Sequence, residues 1–317
     1  MAQAADPTSL QEHSSPTLLN ASNVGGCLVA THDTFLFDMD GVLFVGLRMI
    51  ARSNKVVRRL MALGKRVVFV TNNTTKGRKA VLEKLLGMGF EGIELEQIYT
   101  AGYATALHLQ SLGFSSSKNK VFCMATHGIT DELDEAGIEY IGGTAYAKAV
   151  AGNLTECAEI EVHPSIGAVV TGFDANTNYH TMTYACLALQ RPDVLFIAAG
   201  ADKLSPQGSR KVLVPGAGLF SGALEYVTGR KATLVGKPSQ FMLDVLFQRH
   251  PDLQRARTVM VGDRIDTDII FGLRGGLTTL LVLSGCTSQE DMRQCKAEER
   301  PRFYAESVEI FADGDDA

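Results

Sequence analysis

The residues best suited to catalysis are aspartates that come directly after short apolar runs. Asp38 and Asp40 follow the run Thr34–Phe37, and Asp263 comes shortly after the run at 258–261. Carboxylates this close repel each other unless a cation binds between them. Because no histidine or cysteine stands beside them, their oxygen ligands favour Mg²⁺ over softer metals. The sequence therefore predicts a magnesium site formed by Asp38, Asp40 and Asp263.

Hydroxyl, amide and ammonium groups follow two other apolar runs. Thr71 and Asn72 come after the run at 65–70, and Lys237 comes after the run at 233–235. Such donors around a carboxylate suit a phosphate dianion, which a bound cation lets an anionic nucleophile approach. One aspartate can then form an aspartyl-phosphate. A second can protonate the leaving alkoxide and later deprotonate the attacking water, so the residues predict phosphoryl transfer.

Each of these segments alone also has an ordinary structural explanation. An acidic pair in a loop is commonly solvated or caps a helix, and residues 71–74 are typical of a turn and helix cap. A lysine in a Gly-Lys-Pro turn is usually solvated. Their joint occurrence, each directly after an apolar run, favours a shared site, because the carboxyl ends of parallel strands meet at one edge of a sheet.

Alternating apolar runs and helical patterns predict the scaffold that positions these residues. Strands are predicted at residues 34–37, 65–70, 97–100, 121–125, 168–171, 194–199, 233–235, 258–261 and 279–283. Helices are predicted at 76–86, with Thr74 or Thr75 as the cap, at 103–112 and at Tyr179–Leu189. Strands that alternate with helices indicate an α/β fold with a largely parallel sheet.

Length and charge exclude several classes of protein. A chain of 317 residues favours two domains, because single cores stop growing near about 250–300 residues. The net charge of −5, from 30 basic and 35 acidic residues, argues against a nucleic-acid partner. The sequence has no run of about 18 apolar residues, so we expect no membrane span.

The N-terminal residues and the cysteines indicate a cytoplasmic location. Residues 1–23 have neither the basic nor the apolar region of a secretory signal, and we interpret them as a disordered tail. The six cysteines lack the C-x₂-C spacing of a zinc or redox motif. Unpaired thiols in a reducing cytoplasm are therefore expected.

Four segments together resemble the motifs of the haloacid dehalogenase-like phosphatases. They are FDMDGVL (37–43), VTNNT (70–74), VGKPS (235–239) and VGDRIDTDI (261–269). PGAG at 215–218 is similar to the p-nitrophenylphosphatase branch, which includes phosphoglycolate, glycerol-phosphate and pyridoxal phosphatases. The resemblance extends from residue 33 to residue 287, which is most of the chain.

The resemblance implies catalytic roles for three residues and a metal-binding role for a fourth. Asp38 matches the nucleophile and Asp40 the general acid and base. Mg²⁺ would be held by the Asp38 carboxylate, the Asp40 main-chain carbonyl and Asp263. Lys237 matches the lysine that holds the nucleophile and the phosphate. The implied enzyme is a phosphoric monoester hydrolase.

Five further residues match supporting positions of the same motifs. Thr71, Asn72 and Asn73 match the phosphate-binding segment, in which Asn73 braces the site. Asp268 matches the second acidic residue of the last motif, behind the metal ligands or bound to the metal through water. Arg264 matches a bracing position beside it.

The resemblance also implies a Rossmann-like parallel-sheet core domain with an inserted α/β cap domain. The core would comprise residues 24–112 and 231–317, and the cap residues 113–230, beginning at a Ser-rich segment. Caps of this type exclude water and select the leaving group. A homodimer through the cap is a further implication.

Three departures from the branch leave the substrate open. Phe44 stands where Trp is common, residues 198–202 lack a frequent Thr-Asn pair, and the segment at 203–214 differs in length from the pyridoxal phosphatases. The expected substrate is a small phosphorylated metabolite. Phosphoglycolate and glycerol phosphate are favoured, and pyridoxal phosphate is the alternative.

Other classes of protein fit the sequence less well. The glycines at 216–218 miss the spacing of a dinucleotide site, and Gly-Lys-Pro lacks the Ser or Thr of a P-loop. Dehalogenases dispense with metal, so Asp40 and Asp263 favour phosphoryl transfer. A phosphatase-like scaffold without activity is the non-enzymatic alternative. Such a scaffold does not need the acidic residues in combination with Lys237. Hydrolysis of p-nitrophenyl phosphate would distinguish an enzyme from a scaffold.

Overall fold

The computed structural model describes residues 15–116, 119–148, 152–207 and 212–312. Its strands are β1 (Thr17–Leu18), β2 (Thr34–Phe37), β3 (Phe44–Val45), β4 (Arg48–Met49), β5 (Arg66–Thr71), β6 (Ile98–Thr100), β7 (Lys120–Met124), β8 (Tyr140–Gly142), β9 (Ile166–Thr171), β10 (Leu195–Ala198), β11 (Leu204–Gln207), β12 (Val212–Pro215), β13 (Thr233–Leu234), β14 (Thr258–Gly262), β15 (Thr278–Val282) and β16 (Phe303–Ala305). Its helices are α1 (Ser53–Ala62), α2 (Arg78–Gly87), α3 (Ala101–Ser111), α4 (His127–Glu135), α5 (Leu154–Ala158), α6 (Tyr179–Leu189), α7 (Gly218–Thr228), α8 (Phe241–Arg249), α9 (Ile270–Arg274) and α10 (Gln289–Gln294). Each strand and helix predicted from the sequence is present.

Seven parallel strands form the larger sheet, in the spatial order β1-β16-β15-β14-β2-β5-β6. Its central strands are apolar on both faces. In β2, Phe35 and Phe37 pack into one core, and Leu36 packs into another on the opposite face. Parallel strands covered by helices on both sides require such continuous apolar runs. The α/β fold with a parallel sheet is therefore confirmed.

A second parallel sheet has the order β13-β10-β9-β7-β8, and its first and last strands in the chain begin at residue 120 and end at residue 234. One of its strands differs from the prediction. Thr233–Leu234 falls in the segment assigned to the core, yet it pairs with Ile197 and Ala198 of β10. After α7, the main chain of β13 forms hydrogen bonds with this sheet, which satisfies its polar groups. Only then does the chain continue to the larger sheet. The domain division itself stays a prediction.

Helix α2 begins differently from the prediction. Neither Thr74 nor Thr75 caps it, and its N-cap residue is Gly77. Arg78 instead donates its main-chain N–H to Glu132 Oε1 of α4 at 2.6 Å, and its Nε pairs with Glu132 Oε2 at 3.0 Å. A carboxylate from a distant helix thus satisfies a free N–H at the positive end of α2.

Part of the predicted tail, at residues 17–18, is paired in the larger sheet. Residues 1–14 lie outside the described residues. Within the same predicted tail, Thr17–Leu18 pair with Phe303 and Tyr304 of β16. Leu19 is buried in the core next to this edge. Full burial of a leucine contributes about 1.5–3 kcal/mol, which explains why this short stretch is fixed.

The described helices are short, and the cysteines are unpaired. The longest helices, α3, α6 and α7, have 11 residues each. Within the described ranges, no helix has the length and apolar character needed to cross a membrane. All six cysteines are free thiols. Burial raises the pKa of the Cys123 thiol to about 12, so it stays protonated and unreactive at neutral pH.

Candidate active site

Three predicted site residues stand at the carboxyl ends of neighbouring strands. Asp38 follows β2, Thr71 ends β5, and Asp263 follows β14. Because β2 lies between β14 and β5, the three residues come to one edge of the sheet. The main-chain N–H of Asp38 donates to the carbonyl of Val261 at 2.9 Å, which fixes β2 against β14 at this edge.

Lys237 reaches the same edge from the second sheet, because it follows β13. Its ammonium group donates to Asp38 Oδ1 at 2.6 Å, to Asp268 Oδ1 at 2.7 Å and to the Val70 carbonyl at 3.0 Å. Burial opposes the ammonium charge, but Asp268 and Asp38 outweigh it and raise the pKa of Lys237. Burial likewise raises the pKa of Asp38 well above its usual value, although Lys237 opposes this. The lysine therefore compensates two buried acids.

We expect Lys237→Met to lower the free energy of unfolding of the metal-free protein by about 3–5 kcal/mol. The substitution leaves Asp38 and Asp268 buried without their cation. Urea unfolding measures the change. Lys231, which pairs with Glu225 at the surface, supplies the control Lys231→Met, expected to cost less than about 1 kcal/mol. Equally small effects of both substitutions would contradict the compensation by Lys237.

Asp263 is completely buried and keeps one carboxylate oxygen without a partner. Its Oδ2 accepts the main-chain N–H of Cys286 at 2.7 Å, whereas Oδ1 has no hydrogen-bond partner among the described residues. Burial, followed by the charge of Asp268, raises the pKa of Asp263 to about 7. Oxygens of Asp38, Asp263 and Asp268 lie within 4.8 Å of one another. An unpartnered buried oxygen among carboxylates is costly unless a cation binds it, so these residues fit a hard divalent ion.

Asp268 belongs to this cluster, but its oxygens are already engaged. Oδ1 accepts from Lys237, and Oδ2 accepts the main-chain N–H groups of Asp263 at 3.2 Å and Arg264 at 3.1 Å. A carboxylate used in this way orients the residues that hold a metal. The geometry thus favours a supporting position for Asp268 over direct ligation.

Asp40 differs from the expectation that its carboxylate shares a cation with Asp38. Its side chain is exposed and lies outside the buried acidic cluster. Its Oδ2 accepts a hydrogen bond from Asn73 Nδ2 at 3.2 Å. The chain turns sharply at Gly41, where φ is +90°, so Asp40 leaves the line of the strand. A metal contact from Asp40 would have to come from its main-chain carbonyl.

The segment after β5 is fixed by its own side chains. Asn72 holds the main chain of Lys237 on both sides: Nδ2 donates to the carbonyl at 2.9 Å, and Oδ1 accepts the N–H at 2.8 Å. Thr71 is buried, and its hydroxyl accepts the N–H of Asn73 at 3.1 Å. These contacts set the position of the segment relative to Lys237. Phosphate binding by Thr71, Asn72 and Asn73 stays a prediction.

Arg264 connects the end of β14 with the chain around the second sheet. Its Nε and Nη2 donate to the carboxylate of Asp266 at 3.2 and 3.0 Å. Its Nη1 donates to the carbonyl of Leu204, the first residue of β11, at 3.0 Å. Arg264 therefore braces a boundary between two parts of the chain that are distant in sequence.

Sequence reasoning missed the loop after β15. Ser284 Oγ donates to the Gly41 carbonyl at 2.8 Å, and the Cys286 N–H holds Asp263. A Cβ at Gly285 would lie 1.9 Å from Asp263 Oδ2, so this loop forms a wall against the carboxylate. A signal was available, because the loop follows a predicted strand of the same sheet. Its residues carry no charge, so their types alone do not indicate a site.

Comparisons with known proteins agree with this fold. A family model described as haloacid dehalogenase-like hydrolase matches residues 35–139, and one described as HAD-hydrolase-like matches residues 234–310. The chloroplastic phosphoglycolate phosphatase 1A of Arabidopsis thaliana is 39% identical over 285 residues, which is 90% of this chain and 77% of that relative. The chain therefore belongs to the haloacid dehalogenase-like hydrolases.

Two solved structures have the same fold. The p-nitrophenyl phosphatase from Archaeoglobus fulgidus has a TM-score of 0.73 at 29% identity and covers 88% of this chain and 97% of its own. The glycerol phosphate phosphatase from Mycobacterium tuberculosis, in complex with magnesium, has a TM-score of 0.72 at 27% identity, covering 90% and 78%. The resemblance found in the sequence motifs is thereby confirmed.

Proposed function

We propose that this protein is a Mg²⁺-dependent phosphatase that hydrolyses small phosphate monoesters through an aspartyl-phosphate. The contact of Lys237 with Asp38, beside the unpartnered oxygen of Asp263, carries the proposal. A buried carboxylate next to a fixed cation and a metal-binding acid suits attack on a phosphate dianion. Asp38, Asp263 and the Asp40 carbonyl would hold Mg²⁺, whose octahedral oxygen coordination they can share with water.

The residues at this edge divide the reaction between them. Mg²⁺, when bound, supplies positive charge between the anionic nucleophile and the anionic phosphate. Asp38 forms a bond from its carboxylate oxygen to phosphorus, while the bond from phosphorus to the ester oxygen breaks. Asp40 gives a proton to the leaving alkoxide. A water molecule then attacks the same phosphorus and gives a proton to Asp40, and the bond to Asp38 breaks to release inorganic phosphate.

The surroundings of the two aspartates support different roles. Asp38 is buried and fixed by Lys237, which suits a nucleophile that must be aligned. Asp40 is exposed, and Asn73 holds one of its oxygens, which suits a group that exchanges protons with water. Thr71 and Asn72 would bind the phosphate oxygens. The two hydrogen bonds of Asn72 to the main chain of Lys237 would keep that cradle in register with the nucleophile.

Phosphoglycolate and glycerol phosphate are the proposed substrates. Proteins named for these two substrates are among the similar proteins, at 39% and 27% identity respectively. Pyridoxal phosphate is the alternative, since the motif resemblance covers that activity as well. A cap at residues 113–230 that selects among these leaving groups, and a cytoplasmic location, belong to the same proposal.

We also propose that two copies associate through the predicted cap. Large apolar side chains are exposed there on β12 and α7, among them Leu213, Leu219 and Tyr226. An exposed apolar patch commonly marks an interface between proteins, and the proposal requires that these side chains form one. Light scattering at several concentrations would show a mass near twice that of the chain. A constant monomer mass would contradict the association.

A kinetic screen of small phosphate monoesters with Mg²⁺ tests the function. The panel contains p-nitrophenyl phosphate, phosphoglycolate, glycerol phosphate and pyridoxal phosphate, ranked by kcat/KM. We expect hydrolysis of all four with phosphoglycolate or glycerol phosphate first. If none of the four is hydrolysed, the phosphatase function is refuted and the non-enzymatic scaffold is supported. A clear preference for pyridoxal phosphate would establish the alternative substrate.

Removal of the metal should abolish turnover. After treatment with EDTA, we expect activity to fall to background and to return with Mg²⁺, because the acids at Asp38 and Asp263 repel an incoming phosphate without it. Ca²⁺ should bind but inhibit, because its larger and looser coordination misaligns the nucleophile. Full activity in EDTA, or full activity with Ca²⁺, would contradict the proposed metal site.

A further inference from the structure

A carboxylate outside the sequence motifs reaches the site from the second sheet. Asp202 lies on the connection between β10 and β11, and its side chain is 19% exposed. Its two oxygens face two different segments of the larger sheet's edge, one through Asn72 and one through Arg264. We infer that Asp202 is a positioning residue that sets the second sheet in register with the phosphate-binding edge. This inference rests on the proposed phosphatase function.

The first link runs through Asn72 to the lysine of the site. Asn72 Nδ2 donates to Asp202 Oδ2 at 3.3 Å and to the Lys237 carbonyl at 2.9 Å. The two hydrogens of one amide group are thus shared between Asp202 and Lys237. Asp202 fixes the plane of this amide, and the amide fixes the main chain from which Lys237 extends to Asp38.

The second link runs through Arg264 to the acidic cluster. Asp202 Oδ1 lies 3.8 Å from Arg264 Nε. The same guanidinium donates to the Leu204 carbonyl, two residues after Asp202. The main-chain N–H of Arg264 donates to Asp268, and Arg264 directly follows Asp263. One side chain thus joins the Asp202 connection to the end of the strand that carries the proposed metal ligand.

The sequence PGAG at 215–218 explains how Asp202 is held. Gly218 donates its N–H to the Asp202 carbonyl at 3.0 Å. A Cβ at Gly216 would lie 2.2 Å from that same carbonyl oxygen, a distance that a side chain cannot occupy. The glycines therefore allow the start of α7 to close directly onto Asp202. No catalytic step uses this segment, and support of Asp202 gives it a function.

Loss of this residue should slow chemistry for every substrate alike. Asp202 acts on Asn72 and Arg264, which support the phosphate end of the site, so its effect is independent of the leaving group. We expect Asp202→Ala to reduce kcat by about 10- to 100-fold, the scale of a small misplacement of reacting groups, with little change in KM. Asp202→Asn keeps an oxygen acceptor for Asn72 and should restore kcat to within about threefold of the wild type, since partly exposed ion pairs contribute little.

Kinetics of the full-length variants on two substrates test the inference. p-Nitrophenyl phosphate and glycerol phosphate should show the same fractional loss in Asp202→Ala. Asp193 is an exposed acid that lies before β10 and pairs with Arg191, so Asp193→Ala is the control and should leave kcat unchanged. Gly216→Ala should reproduce the loss without altering any polar side chain. A wild-type kcat in Asp202→Ala, or a loss that differs more than about tenfold between substrates, would overturn the role.

Hydrogen–deuterium exchange separates this inference from the proposed function. In Asp202→Ala, amides of residues 71–73 and of β11 should exchange faster, while those of β2 and β14 should not change. If the wild-type protein hydrolysed none of the substrates, the phosphatase function would be refuted. The exchange pattern would still test whether Asp202 links the second sheet to residues 71–73. Unchanged exchange at both segments, or a general loss of protection from unfolding, would overturn the link.

Discussion

Asp38→Asn should lower kcat for p-nitrophenyl phosphate by at least about 10⁴-fold, because it removes the group that attacks phosphorus. The protein should stay folded. The amide has nearly the volume of the carboxylate, and its oxygen can still accept the hydrogen bond from Lys237. Burial disfavours the charge of Asp38, so the neutral side chain should not reduce thermal stability. Steady-state kinetics and thermal unfolding give the two measurements.

The control for this substitution lies at the start of the same strand. Asp33 is exposed and pairs with Arg257, so Asp33→Asn should leave kcat unchanged. Substrate labelled in the phosphate gives a second test after acid quenching. With labelled p-nitrophenyl phosphate, whose leaving group needs no proton from Asp40, Asp40→Asn should retain label on the protein because water attack is slowed. Asp38→Asn should retain none. Activity of Asp38→Asn near that of the wild type would refute the assignment of the nucleophile.

Gly285→Ala should weaken Mg²⁺ binding by about 10- to 100-fold, the range found when support of a metal ligand is lost. The added Cβ would lie 1.9 Å from Asp263 Oδ2 and 2.4 Å from its Cγ. The carboxylate must therefore move away, and the N–H of Cys286 loses its acceptor. Titration calorimetry with Mg²⁺ and the Mg²⁺ dependence of kcat measure the change. Excess Mg²⁺ should restore part of the activity.

Gly222→Ala is the matched control for the added methyl group. Gly222 lies in α7 with no atom within 4 Å of its built Cβ. Alanine there should leave Mg²⁺ affinity unchanged. It should raise the free energy of unfolding by up to about 1 kcal/mol, because alanine has a higher helix propensity than glycine. If Gly285→Ala bound Mg²⁺ as tightly as the control, the loop after β15 would not be a wall of the metal site.

Local patterns in the sequence predicted the order of the strands and helices. The elements that they did not predict have physical explanations. Short continuous apolar runs predicted the strands, because a parallel sheet is buried on both faces, one covering Phe35 and the other Leu36. The pairing of Thr233–Leu234 was not readable, because a two-residue strand has no period and its partner is set by tertiary contact. The same holds for Thr17–Leu18 in the predicted tail.

The site divides in the same way. Charged residues after strands identified Asp38, Lys237 and Asp263 as a group. The topology of one parallel sheet brings Asp38 and Asp263 together, whereas Lys237 reaches them from the second sheet, which the sequence did not show. The neutral groups that aim these side chains, such as Gly285 and the N–H of Cys286, have no chemical signature in a sequence. Their effect depends on their distance from Asp263, which is set only when the chain folds.

The amino-acid sequence by itself determined the class of fold, the acidic and basic residues of the site and the family, since these depend on residue type and order. The tertiary structure alone decided which oxygen of Asp263 is free, that Asp40 turns outward, and that Asp202 joins the second sheet to Asn72. These features depend on approach distances of 2–4 Å between segments far apart in the chain. Packing sets such distances, and local sequence carries no record of them.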